Sequence, residues 1–163
     1  MPPGDHTFEL LEADTRPLLQ SIRTLFREYA DWLKVDFCFE GFEAELASLP
    51  GSYASARGGA LLVARRADED AGCVALRELE PGLCEMKRLW VRPAHRGSGL
   101  GTQLVQAVLE RAVGNGYRTM RLDTLTRMDH ALQLYAKLGF HNVPPYYDNP
   151  LADAIYMEKA LRV

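Results

Sequence analysis

The apolar residues of this chain recur with two different spacings, which predict helices and strands in alternation. A wide apolar stripe at helical spacing fills residues 18–33, and Asp14 or Thr15 can cap the start of this helix. A shorter helix is predicted over 39–49, because a Pro-Gly pair follows it as a breaker. The first part of the chain therefore contains two helices, and the longer one packs its stripe on a sheet.

Short runs of apolar and β-branched residues, bounded by turn residues, predict the strands. An acidic hairpin loop over 68–72 separates two of them, and two further helices begin near Thr102 and Ala131. The resulting order is strand, two helices, three strands, helix, strand, helix, strand, which is typical of an α/β protein. The predicted strands cover residues 6–12, 60–66, 73–78, 83–91, 118–125 and 154–161.

The most informative segment, residues 89–102, runs from a strand through a glycine-rich turn directly into a helix. An arginine and three glycines, Gly97, Gly99 and Gly101, occupy residues 96–101, which we call the cradle. Glycines let the backbone approach a bulky anion closely. The free N–H groups at the start of a helix then point at that anion, with the positive end of the helix dipole behind them. The cradle therefore predicts a phosphate or pyrophosphate site.

Several kinds of site compete for this glycine spacing. A P-loop fits poorly, because Thr102 follows Gly101 directly and no lysine precedes it. A dinucleotide fingerprint fits weakly, since the spacing is Gly-x-Gly-x-Gly, although Asp123 falls near the distance expected of the acidic residue. The third pattern is Arg-x-x-Gly-x-Gly, beginning at Arg96. An ordinary glycine-rich turn that caps a helix also stays open.

A second motif, residues 131–140, changes the balance among these alternatives. Leu134, Tyr135 and Leu138 fall on one helical face, and Gly139 suits the left-handed position just past a helix end. The cradle and this Leu-Tyr-x-x-x-Gly-Phe helix, separated by a strand, together resemble the acetyl-CoA-binding motifs of the GNAT superfamily of N-acetyltransferases. Two ordered motifs at the right separation are much more specific than either motif alone.

The resemblance implies a GNAT acyl-CoA N-acyltransferase fold of the α/β (α+β) class, with a mixed central sheet of six to seven strands and about four flanking helices. It implies a single domain over residues 1–163. The implied activity is transfer of the acetyl group of acetyl-CoA to a primary amine of a small molecule or peptide, by direct attack through a tetrahedral intermediate. The alternative is a regulatory module that binds acyl-CoA without turnover, and candidate acid and base residues favour the enzyme. A homodimer is compatible with the resemblance, because dimers are common among such proteins.

The resemblance also assigns roles to individual residues. Glu85 occupies the place of the base in the histone-acetylating branch, four residues before the pantetheine-contacting Leu89, whose backbone N–H would stabilise the oxyanion. Strand alternation would put Glu85, Lys87, Leu89 and Val91 on one face. Tyr135 matches the tyrosine that protonates the departing thiolate. The coenzyme-binding residues are Leu89, Trp90, Val91, Arg96, Gly97, Ser98, Gly99, Leu100, Gly101 and Thr102, with Arg92 as an additional positive charge.

Two regions outside these motifs bear on the coenzyme and on the acceptor. Many relatives have an asparagine seven residues before the tyrosine. Met128 stands at that position here, and Asp129 is the expected substitute for a coenzyme contact. Two aromatic segments with few charges, 37–42 and 146–149, are predicted to wall the acceptor site. The acceptor residues assigned there are Phe37, Phe39, Tyr146, Tyr147 and Asn149.

Composition narrows the class of protein further. The chain of 163 residues is 47% hydrophobic and 25% charged, and its formal net charge of −3 argues against nucleic-acid binding. No apolar run approaches membrane-spanning length and no signal peptide is visible, so we expect no membrane contact and a cytoplasmic location. The three cysteines are odd in number and widely spaced, and the four histidines are scattered, so we expect no metal site.

Overall fold

Seven strands form one mixed sheet in the part of the chain that the computed structural model describes, residues 7–34 and 41–162. The strands are β1 (Glu9–Glu12), β2 (Ala60–Arg66), β3 (Glu69–Glu80), β4 (Leu83–Val91), β5 (Thr119–Leu125), β6 (His141–Val143) and β7 (Ala154–Ala160). The helices are α1 (Arg16–Leu33), α2 (Phe42–Ser48), α3 (Leu100–Gly114) and α4 (Asp129–Lys137). The strand order is β1-β2-β3-β4-β5-β7-β6, and among these described strands only β4 and β5 pair in parallel. The predicted mixed sheet with four flanking helices is confirmed.

Most predicted elements lie where the hydrophobic pattern places them, and β2 and β4 match residue for residue. The predicted acidic loop is wrong in length, because β3 already begins at Glu69. Arg65 donates a hydrogen bond to Asp70 at 2.6 Å, and Arg66 lies opposite Glu69 in the ladder, so the turn tightens to two residues. β6 adds a strand that the pattern does not predict, because its three side chains lack a buried alternating face.

α1 shows how local signals fix one helix on the sheet. Thr15 is its N-cap, and the Thr15 hydroxyl accepts a hydrogen bond from the backbone N–H of Leu18 at 3.4 Å. Pro17 occupies the first turn, where its missing N–H has no cost. Three apolar side chains of the helix are fully buried: Ile22, Leu25 and Phe26. Each such burial stabilises the fold by roughly 1.5–3 kcal/mol.

Two apolar layers cover the two faces of the sheet. α3 and α4 pack on one face together with strand residues such as Met86 and Leu122. α1 and α2 pack on the other face together with Cys73 and Ala75. The central strands are therefore buried on both sides, and an interruption in the pairing of the strands gives a ligand a way to reach them.

The parallel pairing of β4 with β5 is interrupted in this way. Residues 83–85 lie opposite residues 119–121, and the later residues of the two strands are not paired with each other. β5 stays paired with β7 over its whole length, so it is β4 that departs from its neighbour. We call the gap between residues 86–91 and residues 122–125 the split.

A β-bulge at Arg88 changes the direction of the side chains along β4. Ala75 lies opposite Lys87, whereas Cys73 lies opposite Trp90, so β4 has one residue more than β3 in this stretch. Arg88 has a φ of +59°, in the left-handed region that non-glycine residues seldom adopt. The additional residue reverses the alternation of side chains in the rest of the strand.

Because of the bulge, the prediction that Glu85, Lys87, Leu89 and Val91 share one face of β4 is wrong. Glu85 and Lys87 lie on the α1–α2 face, because the residues on both sides of Glu85 belong to the α3–α4 layer. Leu89 and Val91 pack against the α3–α4 layer, and Trp90 takes the α1–α2 face. Glu85 and the side chain of Leu89 therefore lie on opposite sides of the sheet.

Candidate active site

The cradle forms a turn that leads directly into α3. Gly97 and Gly99 have φ values of +77° and +84°, and the space that a Cβ would enter at either position is open to 4 Å. Gly99 is the N-cap of α3, no side chain caps the helix there, and its first turn contains no acidic residue. The N–H groups of the first turn therefore face outward with the positive end of the helix dipole, which suits an anion such as a pyrophosphate.

An open cleft of about 380 Å³ lies over the cradle and along the end of β4. This volume is in the usual range of small-molecule sites, about 300–1,000 Å³. Ser98 donates its hydroxyl hydrogen to the carbonyl of His95, and Thr102 lies within the first turn of α3. The other predicted coenzyme-binding residues all line the cleft: Leu89, Trp90, Val91, Arg96, Gly97, Gly99, Leu100 and Gly101.

Two tryptophans and an arginine form the outer wall of this cleft. The Arg96 guanidinium lies 4.8 Å from the centre of the Trp32 ring and 5.1 Å from that of Trp90. Such cation–π contacts orient the guanidinium beside the cradle. Trp32 is 45% exposed, the one large hydrophobic side chain with this exposure among the described residues. The sequence places Trp32 in the core stripe of α1, and no local signal separates it from the buried members of that stripe.

The start of α4 contributes to the cleft in a different way from the prediction. Met128, at the position where relatives often have asparagine, lines the cleft, and so does His130. Asp129 is the first residue of α4 and is not among the lining residues. The coenzyme contact predicted for Asp129 therefore stays a prediction without support from its position, whereas the thioether of Met128 offers an apolar contact there.

A carboxylate of α1 holds the end of β4 in place. Glu28 accepts hydrogen bonds from Arg92 at 2.7 and 2.9 Å and from the indole N–H of Trp90 at 3.2 Å. Arg92 also donates to the backbone carbonyl of Asp70 at 2.9 Å. Arg92, predicted as an additional charge for the coenzyme, is thus engaged in joining α1, β3 and β4. The hydrogen bond from Arg92 lowers the pKa of Glu28 from its ordinary value.

Replacing Glu28 by glutamine is expected to lower the free energy of unfolding at neutral pH and to remove part of its acid dependence. The Arg92 contact lowers the pKa of Glu28 in the folded state below the ordinary 4.5, and the unfolded chain lacks this contact. The stabilisation is therefore complete above about pH 4.5 and is lost as the pH falls through the folded-state pKa. Urea unfolding of both proteins should show a difference that shrinks toward acid pH. A difference independent of pH would contradict this assignment.

A second cavity, of about 40 Å³, occupies the split. Tyr29 and Leu33 of α1 line this cavity from one face of the sheet, and Tyr135 of α4 lines it from the other face. Side chains from both faces of the sheet therefore line this cavity. It shares Tyr29 and Leu89 with the cleft, so a molecule bound over the cradle can extend into it. Its other lining residues are Met86, Lys87, Arg88, Leu122, Asp123, Thr124, Leu125, Asn149 and Leu151.

Tyr135, the predicted proton donor, lies at this cavity. Its ring packs edge-on against Phe140, with a centroid distance of 5.8 Å. Burial, and in addition the nearby Tyr29 and Asp123, raise the pKa of Tyr135 well above its ordinary value. The phenol is therefore protonated at neutral pH, which is the state that a general acid requires.

Glu85, the predicted base, is enclosed by polar partners. Its carboxylate is fully buried, at 0% exposure. Oε1 accepts hydrogen bonds from Arg77 at 2.8 Å and lies 3.9 Å from Nζ of Lys87. Oε2 accepts a hydrogen bond from the hydroxyl of Tyr146 at 2.7 Å. Glu85 is not among the residues that line either cavity, so its catalytic role stays a prediction.

The predicted acceptor residues hold carboxylates in the structure. Tyr146 donates to Glu85, and Tyr147 donates to Asp123 at 2.6 Å. Burial and the charge of Glu85 raise the pKa of Tyr146 well above its ordinary value. Asn149 lines the cavity at the split and donates to the Tyr147 hydroxyl at 2.9 Å. Phe37 and Phe39 lie outside the described residues.

The two cysteines in the described part of the chain are free and buried. Burial raises the pKa of the Cys84 thiol to about 12 and that of Cys73 further above its ordinary value. Both thiols are therefore protonated at neutral pH and are poor nucleophiles.

Neither a metal centre nor a membrane span is found within residues 7–34 and 41–162. No three histidine, cysteine, aspartate or glutamate side chains there stand together as candidate metal ligands. The helices of the same ranges lack the length and apolarity that crossing a bilayer requires.

Comparison with protein families gives one match that covers most of the chain. Residues 20–140 match the acetyltransferase (GNAT) family, a range that contains the cradle, the split and Tyr135. An uncharacterised N-acetyltransferase of Schizosaccharomyces pombe is 40% identical over 141 residues, which cover 85% of this chain and 86% of that protein.

Solved structures with the same fold agree with this match. A Klebsiella pneumoniae protein described as an acyl-CoA N-acyltransferase has a TM-score of 0.76 and 25% identity, and the match covers 96% of this chain and 99% of that chain. The Salmonella typhimurium protein yncA, described as an acetyltransferase and solved with acetyl-CoA, has a TM-score of 0.73 and 18% identity, with 95% of this chain and 94% of that chain covered. At this identity the second likeness concerns the fold alone.

Proposed function

The chain belongs to the GNAT family of acetyltransferases, whose co-substrate is acetyl-CoA, and on this premise we propose that it acetylates a primary amine of a small molecule or a peptide. One observation carries the proposal. The cavity at the split shares Tyr29 and Leu89 with the cleft over the cradle, and its wall includes Tyr135 of α4 together with Leu33 of α1 from the other face of the sheet. Donor and acceptor can therefore meet inside the sheet from its two faces.

The described residues fit the pyrophosphate and the pantetheine arm of the coenzyme. The N–H groups at the start of α3 and the Arg96 guanidinium supply positive charge beside the cradle. A side chain on Gly97 or Gly99 would project into open space, as expected where backbone and ligand approach closely. After Glu85, β4 is no longer paired with β5. The backbone N–H and C=O groups along this edge of β4 can therefore bind the amide groups of the pantetheine.

The chemistry then requires three contributions from the chain. The amine nitrogen forms a bond to the carbonyl carbon while the bond from carbon to sulfur breaks. The backbone N–H of Leu89, next to the bulge, is the proposed donor to the oxyanion. Tyr135 gives its phenolic proton to the departing sulfur. The amine must also lose a proton, and Glu85 was predicted to take it, although its carboxylate meets Tyr146 and Arg77 rather than the cavity.

Purified protein supplied with acetyl-CoA is expected to release free thiol in the presence of at least one member of an amine panel. The panel contains alkylamines, polyamines, amino acids, aminoglycosides and peptides with free N-termini, and mass spectrometry should find an acetylated amine. Acetyl-CoA should bind in calorimetry, and NAD(H) should not. Tight binding of acetyl-CoA with no acetylated product from any amine would favour the non-catalytic acyl-CoA-binding module. Binding of NAD(H) alone would contradict the proposal.

A further inference from the structure

The peptide unit between Arg88 and Leu89 carries the N–H group to which the proposed function assigns the oxyanion. Leu89 lines both the cleft and the cavity at the split. The peptide lies in the bulge, where Arg88 has a φ of +59°. Such a backbone conformation costs free energy and persists only where neighbouring groups hold it. The direction of this N–H group therefore depends on the contacts that Arg88 makes.

The carbonyl group of this peptide is held on the α1–α2 face of the sheet. The thiol of Cys73, a buried residue of the α1–α2 layer, donates a hydrogen bond to the Arg88 carbonyl oxygen at 3.4 Å. Burial raises the pKa of this thiol well above its ordinary value, so the donated proton stays on sulfur at neutral pH. The N–H and the C=O of a planar trans peptide point in opposite directions. The N–H of Leu89 therefore points away from the α1–α2 layer, and the cradle leads into α3 of the other layer.

The side chain of Arg88 is held by α2. Its Nε donates to Oε2 of Glu45 at 3.2 Å, and its Nη2 donates to Oε1 at 3.3 Å. The hydroxyl of Tyr53 donates to the same Oε1 at 2.8 Å, which orients the carboxylate in turn. The side chain of Arg88 is 3% exposed and that of Glu45 is 17% exposed. A contact of this two-point kind fixes direction as well as distance, so Glu45 restrains the residue that forms the bulge.

These contacts suit an oxyanion donor for a physical reason. Negative charge appears on the carbonyl oxygen of the thioester only as the amine attacks, and a donor that is already in place stabilises this charge without first having to turn. A hydrogen bond to the C=O of a peptide also polarises its N–H, which then donates more strongly. A purely structural ion pair and thiol would contribute to stability alone, and they would leave the hydrogen bond to the thioester unchanged.

We propose that Glu45 and Cys73 are positioning residues that hold the peptide between Arg88 and Leu89 with its N–H directed at the thioester carbonyl. This inference rests on the proposed acetyl transfer. As the amine nitrogen bonds to the carbonyl carbon, the electron pair of the C=O double bond moves to oxygen, and the N–H donates to that oxygen while keeping its proton. Neither Glu45 nor Cys73 lines the cleft or the cavity at the split, so both act through the peptide.

The test observes the hydrogen bond on the carbonyl of bound acetyl-CoA directly. A hydrogen bond lowers the stretching frequency of a carbonyl group, and a ¹³C label at the acetyl carbonyl separates this band from those of the protein in infrared difference spectra. The first variant is Glu45→Gln, which keeps the size of the side chain and removes its charge. Glu43→Gln is the matched control, because Glu43 lies two residues earlier in α2 and pairs with Arg27 at 3.0 Å on the surface.

The wild type is expected to lower the frequency of the acetyl carbonyl relative to free acetyl-CoA. Glu45→Gln should reverse most of this shift and lower kcat about tenfold to a hundredfold, while the KM for acetyl-CoA changes less than about threefold. Glu43→Gln should keep the frequency and the kcat of the wild type. Steady-state kinetics use the active amine of the panel.

A second pair of variants tests the same peptide without breaking a buried ion pair. Cys73→Ala removes the donor to the Arg88 carbonyl, whereas Cys73→Ser removes the same sulfur and supplies a hydroxyl that can donate. Cys73→Ala is expected to lose part of the frequency shift and to lower kcat about tenfold. Cys73→Ser should retain more of both than Cys73→Ala, although the two variants lose similar packing.

Three results would overturn the inference. An unchanged carbonyl band in Glu45→Gln and Cys73→Ala, with a lowered free energy of unfolding, would mean that these contacts serve stability alone. Equal losses in Cys73→Ala and Cys73→Ser would mean that the sulfur matters through packing. A wild-type band at the frequency of free acetyl-CoA would mean that the N–H does not reach the carbonyl. Failure of the proposed function is recognised separately, as absence of turnover by the wild type on every amine, because the infrared measurement needs acetyl-CoA alone.

Discussion

Replacing Tyr135 by phenylalanine is expected to lower kcat for acetyl transfer about a hundredfold to a thousandfold, while the KM for acetyl-CoA changes little. The phenol lies at the cavity in the split, and its raised pKa keeps it protonated, so it can give a proton to the departing sulfur. Loss of a positioned acid commonly costs about 10²–10⁴ in rate. Phenylalanine keeps the ring that packs on Phe140, so coenzyme binding and folding should be retained.

Tyr117→Phe provides the matched control for this substitution. Tyr117 is also buried, its hydroxyl donates to the backbone carbonyl of Gly58 at 2.8 Å, and neither residue lines the cleft or the cavity at the split. The same loss of one oxygen there should lower the free energy of unfolding by about 1 kcal/mol and leave kcat unchanged. Steady-state kinetics and thermal unfolding of both variants separate the two effects. A Tyr135→Phe enzyme with the kcat of the control would show that another group protonates the thiolate.

The cradle and α4 could be predicted from sequence because their signals are local. Gly97 and Gly99 supply the left-handed backbone of the turn, and the apolar period that begins beside them defines α3. The Gly139 position past α4 has a φ of +97°, as the sequence indicates. Each of these features depends on residues that are close together in the sequence, so a short stretch of sequence is enough to predict it.

The polar partners at the split could not be predicted, because they lie far apart in the sequence. Arg77 and Tyr146 meet Glu85 from β3 and from the loop before β7, and no pattern in the sequence pairs them. The bulge at Arg88 also lacks a local signal, since the residue is neither glycine nor asparagine. The sequence singled out Asp123 only as the acidic residue of the alternative dinucleotide site. Asp123 lines the cavity because β4 separates from β5 before this residue.

The bulge and the split together interrupt the sheet between its two layers. A regular strand would continue the pairing of β4 with β5 and would close the sheet between its two layers. The left-handed Arg88 turns the end of β4 over, and Glu45 of α2 holds its guanidinium through hydrogen bonds of 3.2 and 3.3 Å. The strain of one residue is thus balanced by a buried ion pair, and side chains from both faces of the sheet line the cavity at the split.

Substituting Gly99 by alanine is expected to weaken acetyl-CoA binding at least about tenfold, a change of about 1.4 kcal/mol in the free energy of binding. Gly99 has a φ of +84°, and no other group lies within 4 Å of the position of an added Cβ. The methyl group would therefore occupy the open space of the cleft in front of the first turn of α3, where the pyrophosphate would lie. Calorimetric titration with acetyl-CoA measures the loss.

Gly116→Ala separates this effect from backbone strain. Gly116 has nearly the same φ, +86°, and equally open surroundings, but it follows the other end of α3. Both substitutions place alanine in the left-handed region and should lower the free energy of unfolding by about 1–2 kcal/mol. If coenzyme binding depends on close approach to the cradle, the dissociation constant rises in Gly99→Ala and stays at the wild-type value in Gly116→Ala. Equal dissociation constants in the two variants would mean that the pyrophosphate lies away from the start of α3.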